Sequence, residues 1–447
     1  MKKQQPKKIL AYSIGALCLL IAAFLLIGII QTPTENYEET NHFIPKEAQQ
    51  NPHAEQITNF RLRLSEALGP YLLHGQWLDQ VEITDGQEKS KIHLQYTLDP
   101  ELQKNADKLL RSYKPDYGAI VMMDAASGRI LALSSFQKND ENAPNLALRG
   151  TFPAASIFKI ITATAALDKH NVTPDTIVQF NGGNHTLYKK NVMSNTINRW
   201  TRGITLREAF ARSINTVFGR LTLERLEPND LEEYALRFGF NKTIQSDLPF
   251  DSGFTEIPKE KSFHLTELAS GYNKITRMSP IQGAMIAAAV ADNGIMKVPY
   301  IVENAKDDHG KIIFQSEPII AAVTMSPQSV EKLKELMEAT ITSGTSRKSF
   351  RTLVKDKKLQ ELVLGGKTGS LTGDNPKGKV DWFVGYAIND KQKIAIAALT
   401  VNVEHWVVKS SYMAQSLLRG HFKEQFTKSN ETFFNASIDR EPSSNSN

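Results

Sequence analysis

The sequence SIFKIITATAAL, residues 156–167, places a serine and a lysine three positions apart at the start of an apolar segment. Its apolar residues point in every direction around a helix, which predicts a helix buried at the centre of a large domain. On that helix Lys159 shares a face with Ser156 and can reach its hydroxyl group. Because burial disfavours charged lysine, Lys159 is expected to have a lowered pKa and to serve as the base that a serine nucleophile requires.

Two further motifs follow in order along the chain. Ser-Ile-Asn at 213–215 supplies a second hydroxyl and an amide, and Lys-Thr-Gly at 367–369 supplies a cation that can hold a carboxylate. The pattern Ser-x-x-Lys alone has little specificity, since it also occurs at 135–138 and 329–332, whereas Lys-Thr-Gly occurs once. The order of the three motifs therefore carries more weight than any one of them.

Each motif taken alone also has a structural explanation. Ser156 and Lys159 could begin a helix whose lysine extends to solvent, and Ser213 could bond to the preceding helical turn. The glycine-rich segment at 365–369 could be an edge strand, and it lacks the spacing of a phosphate-binding loop. Three motifs in this order within one exported chain favour a shared catalytic site over three independent structural roles.

Export is predicted by an uncharged apolar run from Ile9 to Ile30, which indicates a transmembrane helix. At 1.5 Å per residue this helix would be about 33 Å long, enough to cross the hydrocarbon core of a bilayer. Lysines precede it and glutamates follow it, so residues 1–8 are expected in the cytoplasm and the remainder on the periplasmic or extracellular side. A cleaved signal peptide is the alternative, although the run is longer than a signal core and no small-x-small site follows.

The remaining bulk features exclude several classes of protein. The 447 residues carry a net charge of only +5, and basic residues are not clustered with aromatic ones, so nucleic-acid binding has little support. The single cysteine, Cys18, lies within the apolar run and cannot form an internal disulfide. The spacing of His and Cys suggests no metal, and no cofactor is predicted.

Changes of composition divide the chain into six segments. The predicted segments are a cytoplasmic tail at 1–8, a transmembrane helix at 9–30, a linker at 31–56, a small α+β pedestal at 57–112, a catalytic domain at 113–427 and a disordered tail at 428–447. The pedestal should end in a helix that begins at Pro100 and is capped by Asp99.

Local patterns predict the elements that carry the motifs. A hairpin is expected from 119–123 and 130–133, and more strands at 362–364, 382–387 and 394–400. One helix is expected from Thr205 to Leu223, with Ser213 near its middle. A last helix is expected at 410–418.

With these residues identified, the chain resembles the transpeptidase domain of penicillin-binding proteins. The resemblance covers roughly Lys114 to Gly420 and includes the stretches 118–132, 205–210, 344–346 and 381–386. There are two small departures from the family pattern. Ala154-Ala155 precedes the nucleophile where glycine is common, and Ser370 follows Lys-Thr-Gly where threonine is common. Neither departure removes a catalytic group.

The resemblance implies an α/β (α+β) fold with a central, mainly antiparallel five-stranded sheet, flanking helices and an all-helical subdomain. The active site would lie where the sheet and the subdomain meet. Ser156 would attack the penultimate D-Ala of a peptidoglycan stem peptide, Lys159 would take its proton, and Ser213 would relay protons to the leaving D-Ala. The implied substrate-binding residues are Asn215, Lys367, Thr368, Gly369 and Ser370, with the backbone N–H groups of Ser156 and Ser370 forming an oxyanion hole.

The activity that the resemblance implies is cross-linking of stem peptides, with β-lactams trapping Ser156 and other membrane proteins of cell-wall synthesis as partners. The short segment between membrane and catalytic domain leaves no room for a glycosyltransferase module, so a monofunctional enzyme is expected. Two alternatives on the same fold are a D-Ala-D-Ala carboxypeptidase, in which water replaces the acceptor amine, and a β-lactamase, whose Glu-x-x-Leu-Asn type of motif is not apparent after Ser213. A non-enzymatic scaffold of cell-wall assembly is a third alternative. The sequence does not distinguish elongation, division or sporulation.

Overall fold

The computed structural model describes residues 52–85, 88–140 and 142–438, with the backbone alone at 85, 88 and 425–438. The transmembrane helix predicted at 9–30, the tail predicted at 1–8, residues 31–51 of the predicted linker and residues 439–447 of the predicted C-terminal tail lie outside the described residues. The last residues of the predicted linker, 52–56, are helical instead, because the first described helix begins at Pro52. In the part of the chain that is described, none of the helices combines the length and the hydrophobicity that a membrane span requires.

Within the described ranges, the strands form one five-stranded sheet, one four-stranded sheet and three two-stranded sheets. In chain order the strands are β1 (Gln80–Asp85), β2 (Glu88–Tyr96), β3 (Tyr117–Asp124), β4 (Ile130–Gln137), β5 (Phe152–Pro153), β6 (Ile177–Phe180), β7 (Arg202–Thr205), β8 (Arg277–Met278), β9 (Ile295–Lys297), β10 (Val302–Lys306), β11 (Ile312–Gln315), β12 (Ile320–Val323), β13 (Val363–Asp374), β14 (Lys377–Ile388) and β15 (Lys393–Asn402).

The α-helices range from a single turn to the long C-terminal helix. In chain order they are α1 (Pro52–Leu72), α2 (Pro100–Tyr113), α3 (Lys159–Lys169), α4 (Lys189–Val192), α5 (Leu206–Ala211), α6 (Asn215–Arg225), α7 (Pro228–Arg237), α8 (Phe263–Ser270), α9 (Pro280–Ala291), α10 (Pro327–Thr342), α11 (Arg347–Val354) and α12 (Ser410–Ile438). Short 3-10 helices lie at Leu146–Leu148, Ala155–Phe158 and Lys357–Leu359.

The central sheet has the strand order β13-β14-β15-β3-β4, and every neighbouring pair in it is antiparallel. The antiparallel five-stranded sheet that was expected is therefore present, and β3 and β4 form the predicted hairpin. Because β13 is an edge strand, only one side of its backbone pairs with a neighbouring strand. The Lys-Thr-Gly motif consequently lies at a rim of the sheet.

The two faces of the central sheet are buried against different helices, and the alternation of side chains along β15 shows how. Ala395 and Leu399 belong to the core cluster that contains the residues of α9. Ile394 and Ile396 belong to the cluster that contains apolar residues of α2 and α12. Successive side chains of a strand point to opposite faces, so an almost wholly apolar strand indicates a sheet covered on both sides.

A group of helices packs beside the sheet and encloses the segment with the serine and the lysine. Helix α10 contacts β13, α3 and α5, and helix α8 contacts α3 and α6. Every residue of α3 from Lys159 to Leu167 is buried, as the apolar sequence predicted. This position fixes the start of α3 at the junction between the helices and the rim strand β13.

One helix prediction is wrong, because the helix expected from Thr205 to Leu223 is interrupted at 212–214. Ser213 has a φ of 56°, in the left-handed region that ends a right-handed helix. The N–H of Ile214 donates to the carbonyl of Ala209 at 2.9 Å, and α6 then begins at Asn215. Ser213 therefore lies in the break between α5 and α6 instead of in the middle of one helix.

Of two other predicted helix ends, the start of α2 is confirmed and the end of the C-terminal helix is wrong. Asp99 caps α2 as expected, since its carboxylate accepts from the N–H groups of Glu101 and Leu102, each at 3.0 Å. The C-terminal helix α12 does not end at Leu418 as predicted. It continues to Ile438, through the first part of the segment at 428–447 for which disorder was expected.

The N-terminal sheet is built from two distant parts of the sequence. Its strand order is β1-β2-β10-β11, so β2 from the predicted pedestal pairs with β10, which follows α9 by only ten residues. Helix α2, also from the predicted pedestal, contacts β4 at the far rim of the central sheet. The pedestal segment is thus integrated with residues that belong to the catalytic part of the chain.

Two buried groups of opposite charge, Arg61 and Asp247, attract each other in this region, and Arg61 attaches α1 directly by donating to the carbonyl of Glu317 at 2.8 Å. Arg61 and Asp247 are both inaccessible to solvent, and the guanidinium of Arg61 lies 4.2 Å from the ring centroid of Tyr300. The carboxylate of Asp247 accepts from the N–H groups of Ile301 at 3.0 Å and Val302 at 2.8 Å. Burial lowers the pKa of Arg61 and raises that of Asp247, while the attraction between the two groups opposes both shifts.

We predict that Asp247→Ala lowers the free energy of unfolding by about 3–5 kcal/mol, because it leaves a buried guanidinium without its counter-charge. Urea denaturation of the full chain measures this loss. Asp308→Ala is the matched control, since it breaks a 3.1 Å contact with His93 that is exposed to solvent. The control should cost less than about 1 kcal/mol, and equal losses in the two variants would contradict the role of the buried pair.

Candidate active site

The three sequence motifs converge at the junction of the central sheet and the helices. Ser156 lies on the 3-10 turn that leads into α3, and Lys159 is the first residue of that helix. Ser213 and Asn215 lie at the break between α5 and α6, and Lys367 lies on β13. Hydrogen bonds connect side chains from all three motifs.

The turn that presents Ser156 is strained and tightly packed. Ala155 has a φ of 48°, which is unfavourable for a residue with a side chain. A Cβ on Gly271 would lie 1.8 Å from the carbonyl oxygen of Ala155, so only glycine allows this close approach. The indole N–H of Trp382 donates to the carbonyl of Pro153 at 2.9 Å and holds the start of the turn against β14. These contacts fix the backbone on which the serine hydroxyl is presented.

Lys159 is fully buried, and its amine is surrounded by three oxygen atoms. Nζ lies 2.7 Å from Ser156 Oγ, 2.7 Å from Asn215 Oδ1 and 2.6 Å from the carbonyl oxygen of Ser270. The amide and carbonyl oxygens can only accept hydrogen bonds, whereas the serine hydroxyl can also donate. A neutral amine with two N–H groups would donate to the two obligate acceptors and turn its lone pair towards the hydroxyl of Ser156.

The electrostatic environment favours this neutral amine. Burial lowers the pKa of Lys159 well below its usual value, and the nearby charge of Lys367 lowers it further. The geometry therefore supplies a base within hydrogen-bonding distance of the serine, in the form that can accept a proton.

Lys367 joins the motif of β13 to the break between α5 and α6. Its Nζ donates to Ser213 Oγ at 2.9 Å and to the carbonyl of Thr368 at 2.8 Å. Burial lowers the pKa of Lys367 to about 7, so this amine changes its charge near neutral pH. Ser213 can reach this lysine because its left-handed conformation turns the side chain out of the helical path.

Asn215 is oriented from both ends of its amide group. Its Oδ1 accepts from Lys159, and its Nδ2 donates to the carbonyl of His185 at 3.0 Å. The resemblance implied only that this residue binds substrate. The structure adds a contact with the lysine, so Asn215 also positions the amine beside Ser156.

The Lys-Thr-Gly motif of β13 ends at Gly369, which packs against the 3-10 turn that carries Ser156, here called the nucleophile turn. A Cβ on Gly369 would lie 3.2 Å from Ile157 and 3.3 Å from Ala155, which is tighter than ordinary packing. Glycine at this position lets β13 approach the turn closely. The next residue, Ser370, donates through its hydroxyl to Asp381 at 3.3 Å. All the predicted site residues therefore lie on three adjoining backbone segments.

Sequence reasoning missed three groups that contact the predicted residues. The Ser270 carbonyl contacts Lys159, the Thr345 hydroxyl lies 2.6 Å from that of Thr368, and Asp381 accepts from Ser370. A backbone carbonyl leaves no pattern in a sequence, so Ser270 could not have been found. Thr345 and Asp381 lie within stretches that resemble the family, and that was the available signal.

Asp381 is an unusual carboxylate for an interior position. Its side chain accepts from the N–H of Ser410 at 2.8 Å, at the start of α12, as well as from Ser370. Burial raises the pKa of Asp381 to about 6 in spite of these hydrogen bonds. The carboxylate thus connects β13, β14 and the C-terminal helix beside the predicted site.

The other copies of Ser-x-x-Lys lie elsewhere and make different contacts. Ser135 on β4 accepts from the N–H of Leu146 at 2.9 Å. Ser329 on α10 lies 3.2 Å from the hydroxyl of Ser326, which caps that helix. The copy at 156–159 differs from both because its lysine, Lys159, is fully buried and lies close to a second buried lysine, Lys367.

Comparison with known proteins identifies relatives over most of the described chain. The sequence model of the penicillin binding protein transpeptidase domain matches residues 118–419. Stage V sporulation protein D of Bacillus subtilis is 26% identical over 303 residues, which are 63% of this chain and 44% of that protein. Peptidoglycan D,D-transpeptidase PbpA of Mycobacterium tuberculosis is 25% identical over 343 residues, which are 68% of this chain and 66% of PbpA. The chain thus spans less than two thirds of each relative.

Solved structures show the same fold. The D,D-transpeptidase domain of a peptidoglycan glycosyltransferase from Eggerthella lenta superposes with a TM-score of 0.62 at 20% identity, covering 79% of this chain and 97% of that one. The imipenem acyl-enzyme complex of penicillin-binding protein A from M. tuberculosis gives a TM-score of 0.57 at 22% identity, covering 73% and 79%. The α/β fold with its helical subdomain is therefore shared with these proteins.

We predict that Lys367→Met removes a pH dependence of stability. The pKa of Lys367 is about 7 in the folded chain and about 10.4 in an unfolded one, so between these pH values the unfolded chain binds the extra proton. Stability from this group is therefore low below pH 7 and rises as the pH increases. Relative to Lys367→Met, the unmodified chain should gain on the order of 2 kcal/mol between pH 7 and 9.

Urea denaturation at several pH values measures this difference. Lys379→Met, at an exposed lysine of the neighbouring strand β14, controls for the loss of one amine. Parallel stability curves for the unmodified chain and Lys367→Met would show that the buried amine does not titrate in this range.

Proposed function

The chain belongs to the penicillin-binding protein transpeptidase family, and on that premise we propose that it cross-links peptidoglycan stem peptides through an acyl-enzyme at Ser156. The observation that carries this proposal is the contact between the buried amine of Lys159 and the hydroxyl of Ser156 at 2.7 Å. Burial and the two obligate acceptors supply a neutral base at the one serine where this chemistry needs it.

The acylation step follows from these contacts. The lone pair of Lys159 takes the proton of Ser156 as Oγ attacks the carbonyl carbon of the penultimate D-Ala. Negative charge then develops on the carbonyl oxygen, and backbone N–H groups of Ser156 and Ser370 are proposed to stabilise it. Close packing of Gly369 on the nucleophile turn brings these two backbone segments together.

Departure of the terminal D-Ala requires a proton on its nitrogen. Ser213 is proposed to deliver it, and the hydrogen bond from Lys367 at 2.9 Å supports this role by connecting the hydroxyl to a second titratable amine. The acyl group then passes to an amine of a neighbouring stem peptide, which forms the cross-link and frees Ser156.

The terminal carboxylate of the donor peptide is proposed to bind at Lys367 and Thr368. A carboxylate beside Lys367 favours the charged amine, so binding would stabilise the protonated form of a group whose pKa burial lowers to about 7. The hydroxyl of Thr345 lies 2.6 Å from that of Thr368 and is proposed to orient it towards the carboxylate.

A carboxypeptidase differs from this proposal only in its acceptor, and a β-lactamase differs in the speed of deacylation. In the described part of the chain, no carboxylate forms a hydrogen bond with Ser156, Lys159 or Ser213. Water in the acyl-enzyme would thus lack a carboxylate side chain as its base, which favours a long-lived intermediate.

The proposal also includes the cellular setting. We propose a single-pass membrane anchor at 9–30, an exported catalytic domain and membrane partners in cell-wall synthesis.

We predict that the full-length protein gains the mass of one benzylpenicillin molecule on Ser156, measured by intact-mass spectrometry and peptide mapping. Ser156→Ala should abolish the adduct. Ser135→Ala, in one of the two other Ser-x-x-Lys copies, should leave it unchanged because Lys138 of that copy is exposed and not buried beside the serine. Rapid hydrolysis of the drug without an adduct would indicate a β-lactamase, and intact drug without an adduct would favour a scaffold.

The pH dependence of acylation gives a second prediction. The second-order rate constant for benzylpenicillin reports on the free enzyme, and it should fall as the pH rises above about 7, because Lys367 then loses the charge that binds the drug's carboxylate. Lys367→Arg keeps a cation at high pH and should flatten this alkaline limb even if the rate is lower throughout. An identical limb in Lys367→Arg would assign the titration to another group.

A further inference from the structure

A basic and partly apolar surface lies on the loop between β6 and β7, residues 181–201. No acidic residue occurs from 176 to 207, whereas five basic residues do. Lys189, Lys190 and Arg199 lie in the loop and Arg202 begins β7, whereas Arg207 lies in α5 and pairs with Asp175 and Glu335. A run of this length with one sign of charge creates a local positive potential in a chain whose overall charge is small.

Large apolar side chains are exposed on the same loop. Ile197 is 73% exposed, Trp200 is 69% exposed and Tyr188 is 56% exposed. The guanidinium of Arg199 lies 4.8 Å from the ring centroid of Trp200, so charge and aromatic surface are adjacent. Groups of exposed apolar side chains rimmed by polar ones are typical of interaction sites.

The loop is held in place by the first two turns of α6. The N–H of Asn215 donates to the backbone carbonyl of Asn184 at 2.9 Å, and the hydroxyl of Thr216 donates to the backbone carbonyl of Thr186 at 3.2 Å. One turn further on, Arg220 donates to the side chain of Asn195 at 2.7 Å. The outward-facing residues are therefore presented on a supported backbone.

The same attachment connects the loop to the proposed catalytic base. The carbonyl of His185 accepts from Asn215 Nδ2 at 3.0 Å, and the other end of that amide accepts from Lys159 at 2.7 Å. One side chain thus separates the loop backbone from the amine beside Ser156. The loop backbone at His185 therefore adjoins the site that contains Ser156.

A polar cleft adjoins the exposed side chains. It has a volume of about 390 Å³, and amide and hydroxyl groups dominate its lining. Its walls include Asn181, Asn191, Asn195 and Thr196, together with Arg220 and Glu224, whose side chains form an ion pair. Side-chain amides offer both donors and acceptors, which suits the peptide groups of a ligand.

We propose that the 181–201 loop is a docking surface for an anionic peptidoglycan strand, which it holds next to the acyl-enzyme. This inference rests on the proposed function, which makes such strands the substrate. Charge complementarity carries it: stem peptides bear carboxylates, and the loop itself offers Lys189, Lys190 and Arg199 and contains no acidic residue. The aromatic side chains can cover the apolar faces of sugars, and the cleft can accept peptide groups.

Co-sedimentation of the full-length protein with purified peptidoglycan sacculi tests the proposal. The variant Lys189→Glu/Lys190→Glu should bind about tenfold more weakly at low salt, which corresponds to about 1.4 kcal/mol. Its matched control is Lys89→Glu/Lys91→Glu, which makes the same change of net charge at exposed positions of β2. Added salt should weaken binding of the unmodified protein and reduce the difference between the variants.

The apolar part of the surface is tested separately with Trp200→Ala. Its control is Trp406→Ala, an exposed tryptophan whose ring lies 4.9 Å from the amine of Lys379. Only Trp200→Ala should reduce binding to sacculi. Acylation of Ser156 by benzylpenicillin should stay within about twofold in all four variants, because no substituted side chain contacts the catalytic groups.

Equal loss in the test and control variants would overturn the proposal, since it would indicate unspecific attraction. Unchanged binding to sacculi, combined with loop-dependent binding to vesicles of anionic phospholipid, would overturn it in favour of a membrane surface. The proposed function is judged independently by the benzylpenicillin adduct. Acylation without loop-dependent binding would refute only the docking surface, and loop-dependent binding without acylation would refute only the transpeptidase.

Discussion

The burial of the Lys159 amine among three oxygen atoms is the interaction on which the rest of the site depends. A charged amine in this position would face a large desolvation cost from its burial and, in addition, repulsion from the charge of Lys367. The neutral form removes that cost and leaves a lone pair for the hydroxyl of Ser156. The helices around α3 therefore stabilise the fold and the reactive form of the lysine through the same packing.

Two lysines in one site have different tasks because their surroundings differ. Lys159 has two obligate acceptors and a neighbouring cation, and its proposed role is that of a base. Lys367 contacts a serine hydroxyl and a strand carbonyl, and its pKa of about 7 leaves it able to become charged when a carboxylate arrives. Groups of one chemical type can thus be assigned acid, base and binding functions by environment alone.

The backbone departs from ordinary conformations at the points where the site needs it. Ala155 and Ser213 both have positive φ values although neither is glycine. Ala155 directly precedes Ser156, and Ser213 lies two residues before Asn215; the side chains of Ser156 and Asn215 both contact Lys159. Such conformations cost of order 1–3 kcal/mol and persist only where the surrounding contacts determine them. Here the determining contacts come from Gly271, which packs on the nucleophile turn, and from Ala209, which accepts from Ile214.

The sequence by itself determined the identity and order of the chemical groups, the buried nature of α3, the capped start of α2 and the hairpin of β3 and β4. These features depend on neighbours a few residues away, so local patterns encode them. The break at Ser213, the Ser270 carbonyl beside Lys159 and the pairing of β2 with β10 were decided only by the tertiary structure. Each involves contacts between distant residues: at the break, Lys367 donates to Ser213 and the N–H of Asn215 donates to Asn184. Such contacts can override the helical preference of 205–223, and they place a backbone carbonyl where no side-chain pattern records it. The motifs therefore identify the reactive groups, whereas the packing around Lys159 lowers its pKa and so favours its neutral form.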